Sequence, residues 1–428
     1  MSQQVMVPRR RITRKVFVLR VTIVLLLTLI SAEIALRLGF AVFRPGVNVR
    51  TLTEEQYDLS QHVMVGRRST QPNVLHPYVG FVVDPTRNQD VNSLGFWQVD
   101  GPLLKRTPNT LIVGITGGSV ARELCEYSAE TLRRELSQIF PEKKVQIVCL
   151  AQDGFREPQL AMTVSYFQML GAEFDVIVSV SGFNEAVLHP AESPGDDLWV
   201  GYPRAWNVRL TDTEDPEVNR LIWEGQTVQV QRTKWAGHAY RFRHIPLLTI
   251  HGLWSVVDAR YKHQLVDAAA NLMNSRIRVM NRYANVGPTI QYSSAEARTS
   301  AQCNMWLAGS RQIQRLCKST GARFLLCLQP NLHDSQGKVM TGDEKVIAMR
   351  GSTYQQWVQQ NYGHFADAGT GLKSEGIAFF DLRNLYDDVS STVYRDDCCH
   401  FNQDGNDLLA TRIATLVADE MNRREPLP

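Results

Sequence analysis

Apolar and polar positions divide the chain into four stretches. An apolar run from Val16 to Leu36 is broken only by Arg20 near one end and Glu33 near the other. Residues 39–104 are polar and turn-rich, with Pro45, Pro72, Pro77, Pro85 and Pro102, and read as a stalk and lead-in. From Thr110 the pattern becomes alternating strand and helix. Thr110–Thr116 is continuously apolar and ends in Gly117-Gly118, as a strand buried on both faces should. Leu124, Leu132, Leu136 and Ile139 then stripe a helical stretch, Val145–Leu150 is a second strand, Pro158–Leu170 a helix, and Phe174–Val180 a third strand. Regularity lapses over about 186–300. It returns with a helix near Gln302–Ser319, a strand Arg323–Leu328, a helix near Tyr354–Phe365, a strand Ile377–Leu382 and a closing helix Gln403–Met421. Strands alternating with helices through short connections predict a three-layer α/β/α, doubly wound parallel sheet over residues 105–428. The stretch at 186–300 is too long to lack structure inside a compact domain, and predicts a largely helical insertion.

The first apolar run has the length of a membrane-crossing helix, which needs about 20 mostly apolar residues. Arg9, Arg10, Arg11, Arg14 and Lys15 precede it. A basic flank stays in the cytoplasm, so residues 1–15 are expected there, 16–38 in the bilayer and the rest outside. Arg20 and Glu33 are placed to snorkel toward the headgroups. A cleaved signal peptide is the competing reading, but Ile34, Leu36 and Leu38 offer no small-residue cleavage site. Either way the main domain is exported.

Composition adds exclusions. A formal net charge of +3 over 428 residues gives no footprint for nucleic acid. No G-x-G-x-x-G or G-x-x-x-x-G-K-[ST] occurs to cradle a dinucleotide or nucleotide phosphate, so no cofactor is expected. The seven cysteines are too few to staple the chain. Cys149 and Cys327 fall inside apolar runs and read as buried small hydrophobes, while pairing among the others stays open. Cys398-Cys399-His400 has the ligand types of a metal site. Neighbouring cysteines converge poorly on one ion, however, and no CxxC completes the set, so no metal is expected.

Three consecutive predicted strands end in residues suited to acyl transfer. Ser119 follows the first, Gly154 the second and Asn184 the third, and open parallel sheets bind ligands beyond that rim. Downstream of the last strand comes Asp397-Cys398-Cys399-His400. A serine hydroxyl becomes nucleophilic when an imidazole takes its proton, and a carboxylate must hold that imidazole in one tautomer. Asp397, three residues ahead of His400, is the expected orienting acid. His333 and His189 are the rival bases, and neither has an Asp at that offset.

With Gly117-Gly118-Ser119-Val120, Gly154, Gly182-Phe183-Asn184-Glu185 and Asp397-Cys398-Cys399-His400 in order, the chain resembles the SGNH (GDSL-type) hydrolase family. The likeness covers roughly 108–190 and 302–424. It implies a flavodoxin-like arrangement, Ser119 as nucleophile, His400 as base, Asp397 as its acid, and Ser119, Gly154 and Asn184 as the oxyanion hole. Two positions depart from the family pattern: Gly118 stands where an Asp usually precedes the serine, and Glu185 where an Asp usually follows the asparagine. The resemblance implies a serine esterase acting through an acyl-enzyme on a small acyl ester, such as an O-acetyl group of an envelope glycan, or on a lipid. An O-acyltransferase of a surface glycan and a non-catalytic glycan-binding or assembly protein remain open alternatives. Trp199, Trp206, Trp223, Trp235 and Trp254 crowd the insertion, and Arg232, Lys234, Arg241 and Arg243 precede the apolar run Ile245–Val257. They read as the core and surface of a helical subdomain, or as a rim for sugars or the outer leaflet.

Overall fold

The computed structural model describes residues 13–43, 56, 73–192, 198–206, 216–277, 287–288, 292–334, 338–348 and 354–423. In chain order the α-helices of seven residues or more are α1 (Arg14–Phe43), α2 (Ser119–Tyr127), α3 (Ala129–Ile139), α4 (Gln159–Met169), α5 (Pro216–Tyr240) and α6 (Leu248–Ile277), followed by α7 (Ala295–Thr320), α8 (Gly342–Ala348), α9 (Gln355–Lys373) and α10 (Gln403–Asn422). The strands are β1 (Asn73–His76), β2 (Gly80–Val83), β3 (Thr110–Gly117), β4 (Lys144–Cys149), β5 (Val176–Ser181), β6 (Arg323–Leu328) and β7 (Ala378–Asp381). The chain divides into two compact units, Met1–Thr70 with Thr213–Arg278, and Gln71–Asp212 with Val279–Pro428.

In the larger unit β4-β3-β5-β6-β7 form a parallel five-stranded sheet. Leu111, Ile112, Val113 and Ile115 of β3 and all six residues of β5 are buried, as continuous apolar strands covered on both faces must be. Helices α2, α3 and α10 pack in one group, and α4, α7 and α9 in another. From β3 the chain winds first to β4 and then back past β3 to β5. The carboxyl end of β3 is therefore a switch point, where the flanking connections diverge and leave a crevice.

Strand positions follow the apolar pattern to within about two residues. The stretch read as one helix after β3 is two, α2 and α3, separated at Ser128. Helix α7 begins seven residues earlier than the apolar stripe suggests, because Ser294 caps it by accepting the Ala297 N–H.

Two boundary expectations are corrected. The lead-in is not a stalk as far as residue 104: β1 and β2 pair antiparallel, and Val79, Phe81, Val82 and Phe96 join the main core. Residues 44–55 and 57–72 lie outside the described ones. The insertion is not one subdomain either. Helices α5 and α6 belong to the smaller unit with α1, whereas 198–206 and the start of α7 belong to the larger.

In the smaller unit α1 is long and apolar enough to cross a membrane. Glu33 does more than snorkel. It accepts the N–H groups of Leu248 (3.0 Å) and Thr249 (2.8 Å), which open α6 and have no acceptor within it. Arg37 bonds Glu33 (2.7 Å) and donates to the Pro246 carbonyl (2.8 Å). Arg232 grips Asp258 with two bonds, 2.6 and 3.0 Å, tying α5 to α6.

This cap yields a test. Glu33→Leu should speed amide exchange at Leu248 and Thr249 about fivefold, the ratio that about 1 kcal/mol of lost capping corresponds to. Unchanged exchange there would mean that packing alone holds the start of α6.

Candidate active site

Ser119 stands at the first position of α2, immediately beyond the end of β3. Gly117 has φ of +146°, and a Cβ there would lie 2.1 Å from the Val180 carbonyl oxygen, so the turn that presents the serine needs glycine. Gly118 is the N-cap and brings no side-chain oxygen to satisfy the first N–H groups of α2. A Cβ at Gly118 would come within 2.1 Å of Asn184 Nδ2. Any side chain at position 118 would therefore collide with that amide.

The Ser119 hydroxyl lies 2.7 Å from His400 Nε2, and His400 Nδ1 lies 2.5 Å from an oxygen of Asp396. A carboxylate accepts only, so Nδ1 carries the proton, and Nε2 is left to accept from the serine. The structure brings Ser119 and His400 together. It does not bring Asp397 to them.

The orienting carboxylate is Asp396, four residues before the histidine, and this corrects the expected Asp397. The other oxygen of Asp396 accepts the N–H groups of Cys398 (3.0 Å), Cys399 (3.1 Å) and His400 (3.2 Å), winding the loop around the carboxylate. Asp397 instead offers its backbone carbonyl to His333 Nε2 at 2.7 Å. Burial pushes the Asp396 carboxyl upward, but the bonds from His400 and the loop amides outweigh it and bring it to about 2. Burial lowers the His400 pKa, yet the Asp396 bond and charge, with Glu123 behind, leave the imidazole above its ordinary value.

Braces from separate elements hold this loop. Asn331 donates to the Cys398 carbonyl (2.9 Å), and Arg395 N–H to the His400 carbonyl (3.0 Å). Upstream, one oxygen of Glu344 accepts from Val393 (2.9 Å) and Tyr394 (3.1 Å), and the other from Lys338 Nζ (2.8 Å) and Thr341 N–H (2.9 Å). Lys338 and Glu344 side chains are 1 % and 0 % exposed, so each charge depends on the other. Burial raises the Glu344 pKa, but these bonds bring it to about 2. All seven cysteines are thiols, and the Cys398 and Cys399 sulfurs lie 2.9 Å apart. The loop is thus held by carboxylates, amides and an imidazole, and the pairing left open for Cys398 and Cys399 is not formed. Ligand atoms of Cys398, Cys399 and His400 lie within 4.8 Å of one another, but both His400 nitrogens are engaged, so a metal there would have to break one of those bonds.

Gly154 is buried, with φ of +76°. Among the described residues its N–H has no hydrogen-bond acceptor, and the Ser119 N–H, at the first helical position, has none within α2. Asn184 donates through Nδ2 to the Phe155 carbonyl at 2.8 Å, and an amide nitrogen carries a second hydrogen. Each of these groups is a candidate donor to a developing oxyanion. Glu185 secures the arrangement by accepting from Gly182 (2.9 Å) and from Glu157 N–H (3.1 Å). One carboxylate thus ties both backbone segments. Burial raises the pKa of Glu185, and burial together with the charge of Glu185 raises that of Glu157.

The rival histidines are structural. His333 braces Asp397, and His189 Nε2 lies 2.6 Å from the Leu198 carbonyl. Sequence reading missed Asp396, Asn331 and the Lys338–Glu344 pair. Only Asp396 left a signal, as one of two adjacent aspartates at the right distance.

No protein-family model matches the chain, and no curated protein matches it.

Two measurements follow. In Asp396→Asn the His400 titration, followed by NMR, should fall to the ordinary histidine value or below, whereas Asp397→Asn should leave it in place; the reverse would restore Asp397 as the partner. The depressed Glu344 pKa contributes stability that is full above the unfolded value near 4.5 and lost as the pH falls toward 2. Glu344→Gln should therefore cost about 3 kcal/mol at pH 7 and progressively less below pH 4.5 in denaturant unfolding. A cost independent of pH would contradict the charged pair.

Proposed function

We propose that the larger unit is an SGNH-type serine esterase with a flavodoxin-like fold, working through an acyl-enzyme on a small acyl ester such as an O-acetyl group of an envelope glycan. The observation that carries this reading is the continuous hydrogen-bonded chain from Ser119 through His400 to Asp396, at 2.7 and 2.5 Å, at the sheet's switch point.

Ser119 Oγ attacks the ester carbonyl while His400 Nε2 takes its proton, and Asp396 stabilises the imidazolium that forms. The carbonyl oxygen becomes an oxyanion held by the N–H groups of Ser119 and Gly154 and the Asn184 amide. Collapse breaks the ester bond, and His400 returns the proton to the leaving alcohol oxygen. Water or an acceptor hydroxyl then gives its proton to His400 and attacks the acyl-serine, and as the second intermediate collapses the Ser119–acyl bond breaks and His400 returns that proton to Ser119 Oγ. The apolar α1 and the basic residues before it support a single-pass anchor with the catalytic unit on the far side of the membrane.

The full-length protein in detergent should label with a fluorophosphonate, and Ser119→Ala should abolish both labelling and turnover of 4-nitrophenyl acetate. Because the base must be neutral and its pKa is raised, the rate should climb with pH through a limb above the ordinary value of 6.5. Asp396→Asn should lower the rate roughly 10³- to 10⁴-fold and move that limb downward. Well-folded protein that neither labels nor turns over ester would favour a glycan-binding role.

A further inference from the structure

Between α5 and α6 the chain turns through residues 241–247, and this turn is fastened to the last part of α1. Glu33 accepts the Leu248 and Thr249 N–H groups, at 3.0 and 2.8 Å, and Arg37 donates to the Pro246 carbonyl at 2.8 Å. A Cβ at Gly252 would lie 3.7 Å from Leu36 Cδ1. Glu33 thus meets the first residues of α6 and Leu36 meets the next turn. Helix α6 therefore leaves the turn alongside α1 and in the same direction.

These contacts set the level of the turn. Helix α1 is long and apolar enough to cross a membrane. A span of about 20 residues covers the hydrocarbon, and counted from Val16 it ends near Ala35. The turn is therefore level with residues 33–37, where acyl chains give way to headgroups. Its surface suits that boundary. Phe242, Ile245 and Leu247 are exposed, and so are Leu253 and Val256 in the opening turns of α6. Arg241 and Arg243 flank Phe242, and residues 225–257 include no aspartate or glutamate. Exposed apolar side chains with basic ones beside them and no acidic ones are the composition of a segment that lies in a membrane interface.

We propose that this turn is seated in the bilayer that α1 crosses, in the leaflet at the carboxyl end of α1, with Phe242, Ile245 and Leu247 among the acyl chains and Arg241 and Arg243 on phospholipid phosphates. The proposal rests on α1 crossing a membrane and is independent of the acyl-transfer reading. The occupant is lipid because the turn is hydrogen-bonded to α1 at the end of its apolar run, so the bilayer that covers α1 reaches the turn as well. Burial of apolar side chains and pairing of guanidinium with phosphate then act together. Water is scarce at that depth, and Glu33 and Arg37 find in the α6 amides and the Pro246 carbonyl the partners that water would not supply. The smaller unit thus has two membrane contacts in place of one. The second stops it turning about the α1 axis and fixes the height at which α5 and α6 rise from the bilayer.

The test places the photo-crosslinker p-benzoylphenylalanine at single positions of the full-length protein, in phospholipid nanodiscs that contain phosphatidylglycerol with an alkyne on its acyl chain. The positions are Phe242 in the turn, Leu27 within α1, and Trp223, which is exposed and about 25 Å along α5 from Tyr240 at 1.5 Å per residue. Position 242 should take lipid about as well as position 27 and about tenfold better than position 223. Arg241→Glu with Arg243→Glu should cut the yield at position 242 about fivefold and leave that at position 27 in place. A yield at 242 no greater than at 223, or an adduct there with a second copy of the chain instead of lipid, overturns the seat while α1 remains an anchor. An unchanged yield at 242 in the double arginine variant overturns the phosphate contact. If position 27 takes no lipid, α1 does not span the bilayer and the seat falls with it.

Discussion

One carboxylate organises the site. Asp396 collects three successive amide N–H groups on one oxygen and the imidazole of His400 on the other, so loop shape and tautomer are set by the same group. An acceptor with this many donors stays ionised despite its burial. The rest of the larger unit delivers partners to it. β3 and its two glycines bring the serine, the residues after β6 bring Asn331 and His333, and the Lys338–Glu344 pair fixes the approach to the loop at Val393 and Tyr394.

Much of this was legible in the sequence because buried parallel strands write themselves as unbroken apolar runs. Thr110–Thr116 and Arg323–Leu328 lie where those runs are, and their ends carry Ser119 and Asn331. The choice between Asp396 and Asp397 was not legible. Both precede His400 by about one loop turn, and which one faces the imidazole depends on how three amides fold around a carboxylate. That is a matter of dihedral angles, which residue spacing does not record. The same holds for Gly118: as text it is a departure from a motif, and only the nearness of the Asn184 amide turns it into a requirement for the absence of a side chain.

Residues 186–300 divide between the two units for a related reason. A region without clear periodicity reads as one body, whereas α5 and α6 group with α1, and 198–206 groups with the sheet. Glu33 was the clue available beforehand. A carboxylate inside an otherwise apolar run needs donors, and it finds them in the opening amides of α6. The buried Glu157 and Glu185 obey the same rule, each accepting backbone N–H groups that would otherwise be stranded.

The two adjacent sulfurs beside the histidine bear on where such a loop can operate. Every fastening found around it runs through oxygen or nitrogen, from Asp396, Asn331, His333 and Glu344, and none through Cys398 or Cys399. A reductant therefore has no link to cut in this part of the molecule. Acid does, because each of those carboxylates releases its amides once it takes up a proton.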